Sequence, residues 1–498
     1  MAIAEDKRRR FSTTGGSVFS LLLAFASLAG LLGCRGSTGA KLDASSATTA
    51  TITVDTTQEQ EAIEGFGGFG PAKVWWDSPP FFDQTWLDKL DDLGVTIVRT
   101  SIEYDFESAD GTFHLAPTSA NGQQLDYLKA LQSRGIKILA TAWTPPVWMK
   151  LNPDNSLASF CNGQCGGTLD PEHYQDYADY LVEYVKDMHA AGVEIYALDF
   201  ANEPLYAAPY ESCVYTAQSY ADVLKLVSAA FAQAGLSTKL FGPEWLGIVA
   251  MNTQFFASIL GDATAANALG FYAVHMYTFT GAPDYGSSDN WTQLYQQVSA
   301  AGKELWMTET VGPKPEQWDE AFLMAKSLGR ALRFGKISAW VYWYLAENVL
   351  TTAPDNTPYP IYYALKQYFR YIRPGYVQVA SATDDADILP NAFTFGDGLT
   401  VVLVNDGSLE KAVMVEFASG LSPTFDGYRT SSTENAVSIG KVDATSVRLP
   451  ARSITTLHVA PTPDTISDDG GSQSDIACEG NGMGSVASSI VDTGQARR

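Results

Sequence analysis

The sequence predicts an α/β fold: a (β/α)8 TIM barrel followed by a small antiparallel β-sandwich side domain. Three observations carry that expectation. Eight short apolar, β-branched runs alternate with helix-like stretches between residues 63 and 344, the alternation of a barrel built from strand–helix units. The runs are almost continuously apolar, as strands buried on both faces of a parallel sheet must be. Past residue 375 the alternation stops, and short strand-like runs succeed one another with turn signals between them.

The eight runs are "IEGFGGFG" (63–70), "VTIVRTSI" (95–102), "IKILATAW" (136–143), "EIYALDFANE" (194–203), "TKLFGPEW" (238–245), "GFYAVHMY" (270–277), "KELWMTET" (303–310) and "ISAWVYWY" (337–344). Between them, "HYQDYADYLVEYVKDMHAAG" and "SYADVLKLVSAAFAQAG" have the spacing of amphipathic helices and end on Gly, a common helix stop. The first run fits G-x-G-x-x-G from Gly65 to Gly70. A dinucleotide cradle needs a helix directly behind those glycines, and Pro71, Pro79 and Pro80 stand there instead. The glycines therefore read as close backbone approach at a barrel mouth, with Phe66 and Phe69 as core or rim. The side domain begins at "YVQVASA" and ends at "SVRLPARSITTLHV", and "TATITVD" (49–55) is a candidate extra strand. The expected division is a barrel over 51–375, with 51–63 able to pair with the side domain. The side domain covers 376–460, and 461–498 form a polar, disordered tail.

With 46% hydrophobic residues the chain is globular, and a net charge of −24 repels phosphate backbones, which excludes nucleic acid as a partner. Richness in aromatic residues suits a neutral, ring-shaped ligand. Residues 1–33 read as an export signal: "KRRRF" is a basic opening and "VFSLLLAFASLAGLLG" an apolar run too short to span a bilayer. The "LLGC" that follows resembles a bacterial lipobox, which makes Cys34 the lipidated first residue; ordinary cleavage near Gly33 is the other reading. Arg8-Arg9-Arg10-Phe11 also resembles a twin-arginine export motif. Residues 34–50 form a Ser/Thr-rich tether, so membrane contact is expected only through a lipid, in the periplasm, at the cell surface, or not at all for a secreted form. Cys161, Cys165, Cys213 and Cys478 remain. A local bridge within Cys161–Cys165, or one from that pair to Cys213, fits an oxidising compartment. Five histidines without metal-ligand spacing make zinc, or any metal or cofactor, unexpected. A monomer is expected.

Catalytic groups of such barrels stand at the C-terminal ends of the strands. Those ends carry Arg99, Trp143, Asn202 with Glu203, Glu244 with Trp245, His275 with Tyr277, Glu309 and Trp343. Glu203 and Glu309, from the fourth and seventh runs, face one another across the mouth. Two carboxyl groups flanking a bond between sugars are the apparatus of glycoside hydrolysis, one protonated to release the leaving oxygen and one ionised to attack. Arg99 is the cation suited to keep Glu309 ionised, or else a plain salt-bridge partner. Trp143 and Trp343 read as core or as platforms for sugar rings, and His275 as a structural hydrogen-bonder or a proton-transfer group. Glu244 stays outside the pair, as a supporting or subsite residue.

"FANEP", "WTPPVWMK", "VHMY", "WMTET" and "RPGYVQV…LPARSITTLHV", in that order, resemble glycoside hydrolase family 30 over residues 50–460. The resemblance implies a retaining enzyme with Glu203 as acid/base and Glu309 as nucleophile. It further implies Asn202 on the sugar 2-hydroxyl and Tyr277 hydrogen-bonded to the nucleophile. "YESCVYTAQSY" (210–220) resembles the family's xylanase branch, which makes an endo-β-1,4-xylanase the leading expectation. β-1,6-Glucanase, β-1,6-galactanase and glucosylceramidase activities belong to the same family. Two positions depart from its pattern. Ala201 stands where Gln is usual, and the loop "TFTGAPDYGSSDNWTQ" lacks the Arg or Lys used by members that demand a glucuronic acid decoration. The competing class is a barrel that holds glycan without cleaving it. A third, an oxidoreductase, is weakened by the helix missing after Gly70.

Overall fold

The computed structural model describes residues 49–462 apart from 75–80, 110, 117, 154–164, 249–251, 279–282 and 352–353. A strand β1 (Ala50–Ala62) precedes the barrel strands β2 (Gly65–Phe69), β3 (Ile97–Ile102), β4 (Lys137–Ala142), β5 (Ala197–Asp199), β6 (Lys239–Trp245), β7 (Phe271–His275), β8 (Leu305–Glu309) and β9 (Ala339–Tyr342). Each lies inside one of the eight apolar runs. They close in chain order into a barrel, β9 pairing in parallel with β2.

The outer ring includes α1 (Gln84–Leu93), α2 (Leu125–Gln132), α3 (Tyr174–Ala190), α4 (Ala217–Ala234), α5 (Ala263–Ala268), α6 (Ser288–Ser299), α7 (Trp318–Gly335) and α8 (Pro360–Phe369). Helix α4 shows why these segments are helical. Thr216 caps its first turn by accepting from the Ser219 amide, Tyr220, Leu224, Val227 and Phe231 share the buried stripe, and Gly235 ends it at φ 71°. At Gly67 a side chain is impossible: a Cβ would lie 1.7 Å from the Ile97 carbonyl oxygen. The glycines of the first run thus serve the packing of β2 on β3, and among the described residues the next helix, α1, begins at Gln84.

The barrel interior is filled, not hollow. Ile97, Leu139, Ala197, Phe241, Phe271, Ala273, Trp306, Ala339 and Val341 form one buried cluster, with the Phe271 and Trp306 rings stacked at 3.8 Å between centroids. Two residues further along the same strands the inward positions turn polar: Ile97 gives way to Arg99, Leu139 to Thr141 and Ala273 to His275. The period of two along a strand therefore stacks a charged layer directly on an apolar plug.

The second unit contains β10 (Val377–Thr383), β11 (Ile388–Phe395), β12 (Gly398–Asn405), β13 (Lys411–Phe417), β14 (Thr424–Ser431), β15 (Glu434–Asp443), β16 (Val447–Leu449) and β17 (Ser453–Val459). With β1 they form a nine-stranded sheet in the order β15-β14-β17-β12-β11-β10-β1-β13-β16. Side chains from across that order, among them Ile52, Val401, Val413, Val415 and Leu457, share one core, as in a sandwich. The sheet is not wholly antiparallel: β1 runs parallel to β13, because the N-terminal strand inserts beside a strand that the C-terminal meander leaves open.

Of the two bridges held open, the one to Cys213 does not form. Cys165 is disulfide-bonded, whereas Cys213 is a buried free thiol. Cys34, Cys161 and Cys478 lie outside the described residues. Among the described residues no helix is long and apolar enough to cross a membrane.

Candidate active site

The polar layer assembles at the C-terminal ends of the strands, and Arg99 is its centre. The guanidinium is fully buried. Its Nη1 donates to Glu309 Oε2 at 2.7 Å, Nη2 to Asn202 Oδ1 at 2.7 Å and to Glu244 Oε2 at 2.9 Å, and Nε to Thr141 Oγ1 at 3.1 Å. Burial works against its charge, yet Glu244 and Glu309 outweigh that and hold it above the ordinary arginine value. Because Arg has no acceptor, Asn202 must turn its oxygen to it, which leaves the Asn202 amide nitrogen to donate elsewhere.

Two local devices aim the carboxylates. Glu203 follows β5 with φ 50°, and Glu244 near the end of β6 has φ 48°, both in the left-handed region that non-glycine residues seldom occupy. The β6–β7 and β7–β8 pairings each slip register at the mouth, between Pro243 and Trp245 and between Val274 and His275. The second slip sets His275 opposite Glu309. Bulges of this kind re-aim side chains at barrel rims.

Glu309 also accepts from the Tyr277 hydroxyl at 2.9 Å. Burial, then Glu309, keeps Tyr277 far above the usual phenol value, so it remains a donor. Glu203 accepts from the Tyr210 hydroxyl at 3.2 Å and lies 3.1 Å from His275 Nδ1. The other imidazole nitrogen is 3.5 Å from Glu244 Oε1. For His275, burial favours the neutral ring, but Glu309, Glu203 and Glu244 together raise it to about 9.

Glu203, His275 and Glu309 each place one potential ligand atom within 4.8 Å of the others. The positive charge facing these carboxylates comes from the chain itself, through Arg99 and His275.

A raised imidazole couples stability to pH. His275 binds its proton more tightly folded than unfolded, so its contribution is complete below about 6.5 and is lost as pH rises through about 9. The melting temperature of wild type minus that of His275→Gln should therefore shrink across that window. A difference that stays flat in a calorimetric pH series contradicts the assignment.

One wall of the mouth is aromatic. Trp143 and Trp343 have ring centroids 6.0 Å apart, Phe69 lies 4.3 Å from Trp343, and the Arg99 guanidinium lies 4.7 Å above the Trp143 ring. The expected site residues Arg99, Trp143, Asn202, Glu203, His275, Tyr277, Glu309 and Trp343 thus converge on one place. Glu244 is fully buried and bound to Arg99, which makes it a support rather than a subsite. Sequence reading missed Thr141 and the contact of Tyr210, and it left Phe69 as core or rim without placing it on Trp343. Phe69 and Thr141 lie within strand runs and carry no signal apart from position. Tyr210 sits in a long loop after β5 whose return to Glu203 is a tertiary event.

Residues 101–348 match the family described as O-glycosyl hydrolase family 30. The chain is 25% identical over 353 residues to "Glucuronoxylanase XynC" of Bacillus subtilis (strain 168), covering 68% of this chain and 77% of that protein. It is 24% identical over 317 residues to the lysosomal acid glucosylceramidase of Mus musculus, covering 56% and 58%. A solved family 30 endoxylanase from Clostridium papyrosolvens C71 superposes with a TM-score of 0.68 at 27% identity, covering 82% of this chain and 99% of that one.

Proposed function

This chain belongs to glycoside hydrolase family 30 and is a glycosidase; from that premise we propose that it cleaves β-1,4-xylan within the chain, with retention of configuration. The observation that carries the reading is the carboxyl pair. A carboxylate oxygen of Glu203 lies within 4.8 Å of one of Glu309, short of the ~6.5–9.5 Å of inverting pairs and in keeping with the ~5–5.5 Å of retaining ones, a spacing suited to direct attack.

In this mechanism Glu309 is the nucleophile. Arg99 and Tyr277 each donate to one of its oxygens, which favours the charged form and points it at the anomeric carbon. As that bond forms, Glu203 gives its proton to the departing glycosidic oxygen. It then takes a proton from the water that breaks the glycosyl–Glu309 ester. The Asn202 amide nitrogen donates to the sugar 2-hydroxyl, and Trp143 and Trp343 form the wall against which the ring stacks.

Xylan is favoured by the likeness to the xylanases above. The described part of the loop after β7 carries no Arg or Lys, so a charged uronic acid is not required and a neutral xylan serves. The export signal read in residues 1–33 supports a location outside the cytoplasm, and the lipobox-like "LLGC" supports a lipid on Cys34 over free secretion.

Proton NMR of early products from xylohexaose should show the β-anomer first. A panel of glucuronoxylan, arabinoxylan, β-1,6-glucan, β-1,6-galactan and glucosylceramide should give xylo-oligosaccharides with no preference for the uronic acid decoration. α-Anomer first refutes retention; release of glucose or galactose from the other substrates alone moves the substrate to another branch of the family.

A further inference from the structure

The motif "WTPPVWMK" ends on Lys150, a residue the mechanism does not use. Its side chain is 8% exposed, a rare place for a lysine. The ammonium donates to Thr144 Oγ1 at 2.9 Å and to the Ser212 carbonyl at 2.8 Å. Thr144 neighbours Trp143, and Ser212 lies two residues beyond Tyr210, so one buried cation ties the loop after β4 to the loop after β5. Burial lowers Lys150 to about 8, against the pull of Cys213 and Glu211, and pushes the Cys213 thiol up to about 11.

Other bonds meet at the same point. Residues 150–151 pair with 168–169, the Gly166 amide donates to Ser212 Oγ at 2.9 Å, and the Val214 amide to the Gly167 carbonyl at 2.8 Å. The loop itself is closed at its base by the Tyr215 amide on the Pro204 carbonyl at 2.6 Å. Its inner end carries the Tyr210 hydroxyl to Glu203 Oε2.

We propose that Lys150 is a positioning residue: it pins the loop after β5 and thereby seats Tyr210 on the carboxylate of Glu203. The proposal rests on Glu203 being the acid/base. A staple that aims a general acid matters most when the leaving group needs a proton, and little when it departs unaided.

The test compares xylan with 2,4-dinitrophenyl β-xylobioside, whose phenolate leaves without protonation. In Lys150→Met, which keeps the aliphatic stem, kcat/KM on xylan should fall at least about tenfold, while that on the aryl glycoside stays within about threefold. Tyr210→Phe should split the two substrates the same way, and the double variant should be no worse than the weaker single, since both act through one contact. Thr144→Val, which removes one acceptor and leaves the ammonium, gives a milder split if Lys150→Met folds poorly. Equal losses on both substrates, or additive losses in the double variant, overturn the proposal. Glu203→Gln is the control: equal losses there undo the acid/base reading alone. A crystal structure of Lys150→Met decides independently of substrate. Tyr210 withdrawn from hydrogen-bond range of Glu203 supports the role, and Tyr210 unmoved refutes it.

Discussion

Glu309→Gln is expected to lower turnover on xylan by roughly 10⁴–10⁶ while ligand affinity stays within about threefold. The substitution keeps the size of the side chain and removes only its charge. The buried partners accommodate the amide: its oxygen can face the Arg99 guanidinium, which only donates, and its nitrogen can face the Tyr277 hydroxyl, which can also accept. Arg99 keeps Glu244 as a charged partner at 2.9 Å, so the variant should fold. Calorimetric titration with xylotetraose and single-turnover kinetics separate binding from chemistry. Turnover near wild type removes Glu309 as nucleophile, and loss of affinity in step with turnover assigns it to binding.

Arg99→Met should be the most damaging single change to stability. It leaves the carboxylates of Glu309 and Glu244 buried, 1% and 0% exposed, without the cation between them. Breaking a buried pair from one side costs about 3–5 kcal/mol. Turnover should drop as well, by about 10²-fold or more, since Glu309 and Asn202 lose a shared anchor. Arg99→Lys should recover only part of this, because an ammonium cannot fork to four partners. The sign of the pH effect is diagnostic. Stranded carboxylates bind protons more readily in the folded variant than in the unfolded chain, so its deficit relative to wild type should narrow as pH falls. Urea denaturation at two pH values measures this. A deficit that stays constant with pH means the lost stability came from packing of the stem.

The barrel was legible because its signal is local and repeated. An apolar run such as "IKILATAW" has few alternatives to a buried strand, and eight of them separated by helix-period segments close in only one common way. The two glutamates were legible for a related reason: each ends a strand run, and strand ends of one barrel share a rim. The parallel seating of β1 against β13 left no such trace, because the residues that pair are hundreds of positions apart.

What the sequence by itself determined is thus the set of rim residues and their strands. A period of two along each strand decides which side chains point inward, and the alternation of strand and helix decides that all C-terminal ends gather at one mouth. The tertiary structure alone decided how those residues divide the work. Glu244 and Glu309 each end a strand run, and only the register slips and left-handed turns at the mouth send one to the far side of Arg99 and the other to face Glu203. Tyr210 reaches Glu203 because a loop of a dozen residues is closed and stapled from beneath by a lysine of the preceding loop. Such contacts depend on the sum of many weak, long-range placements, and no local pattern of residues encodes them.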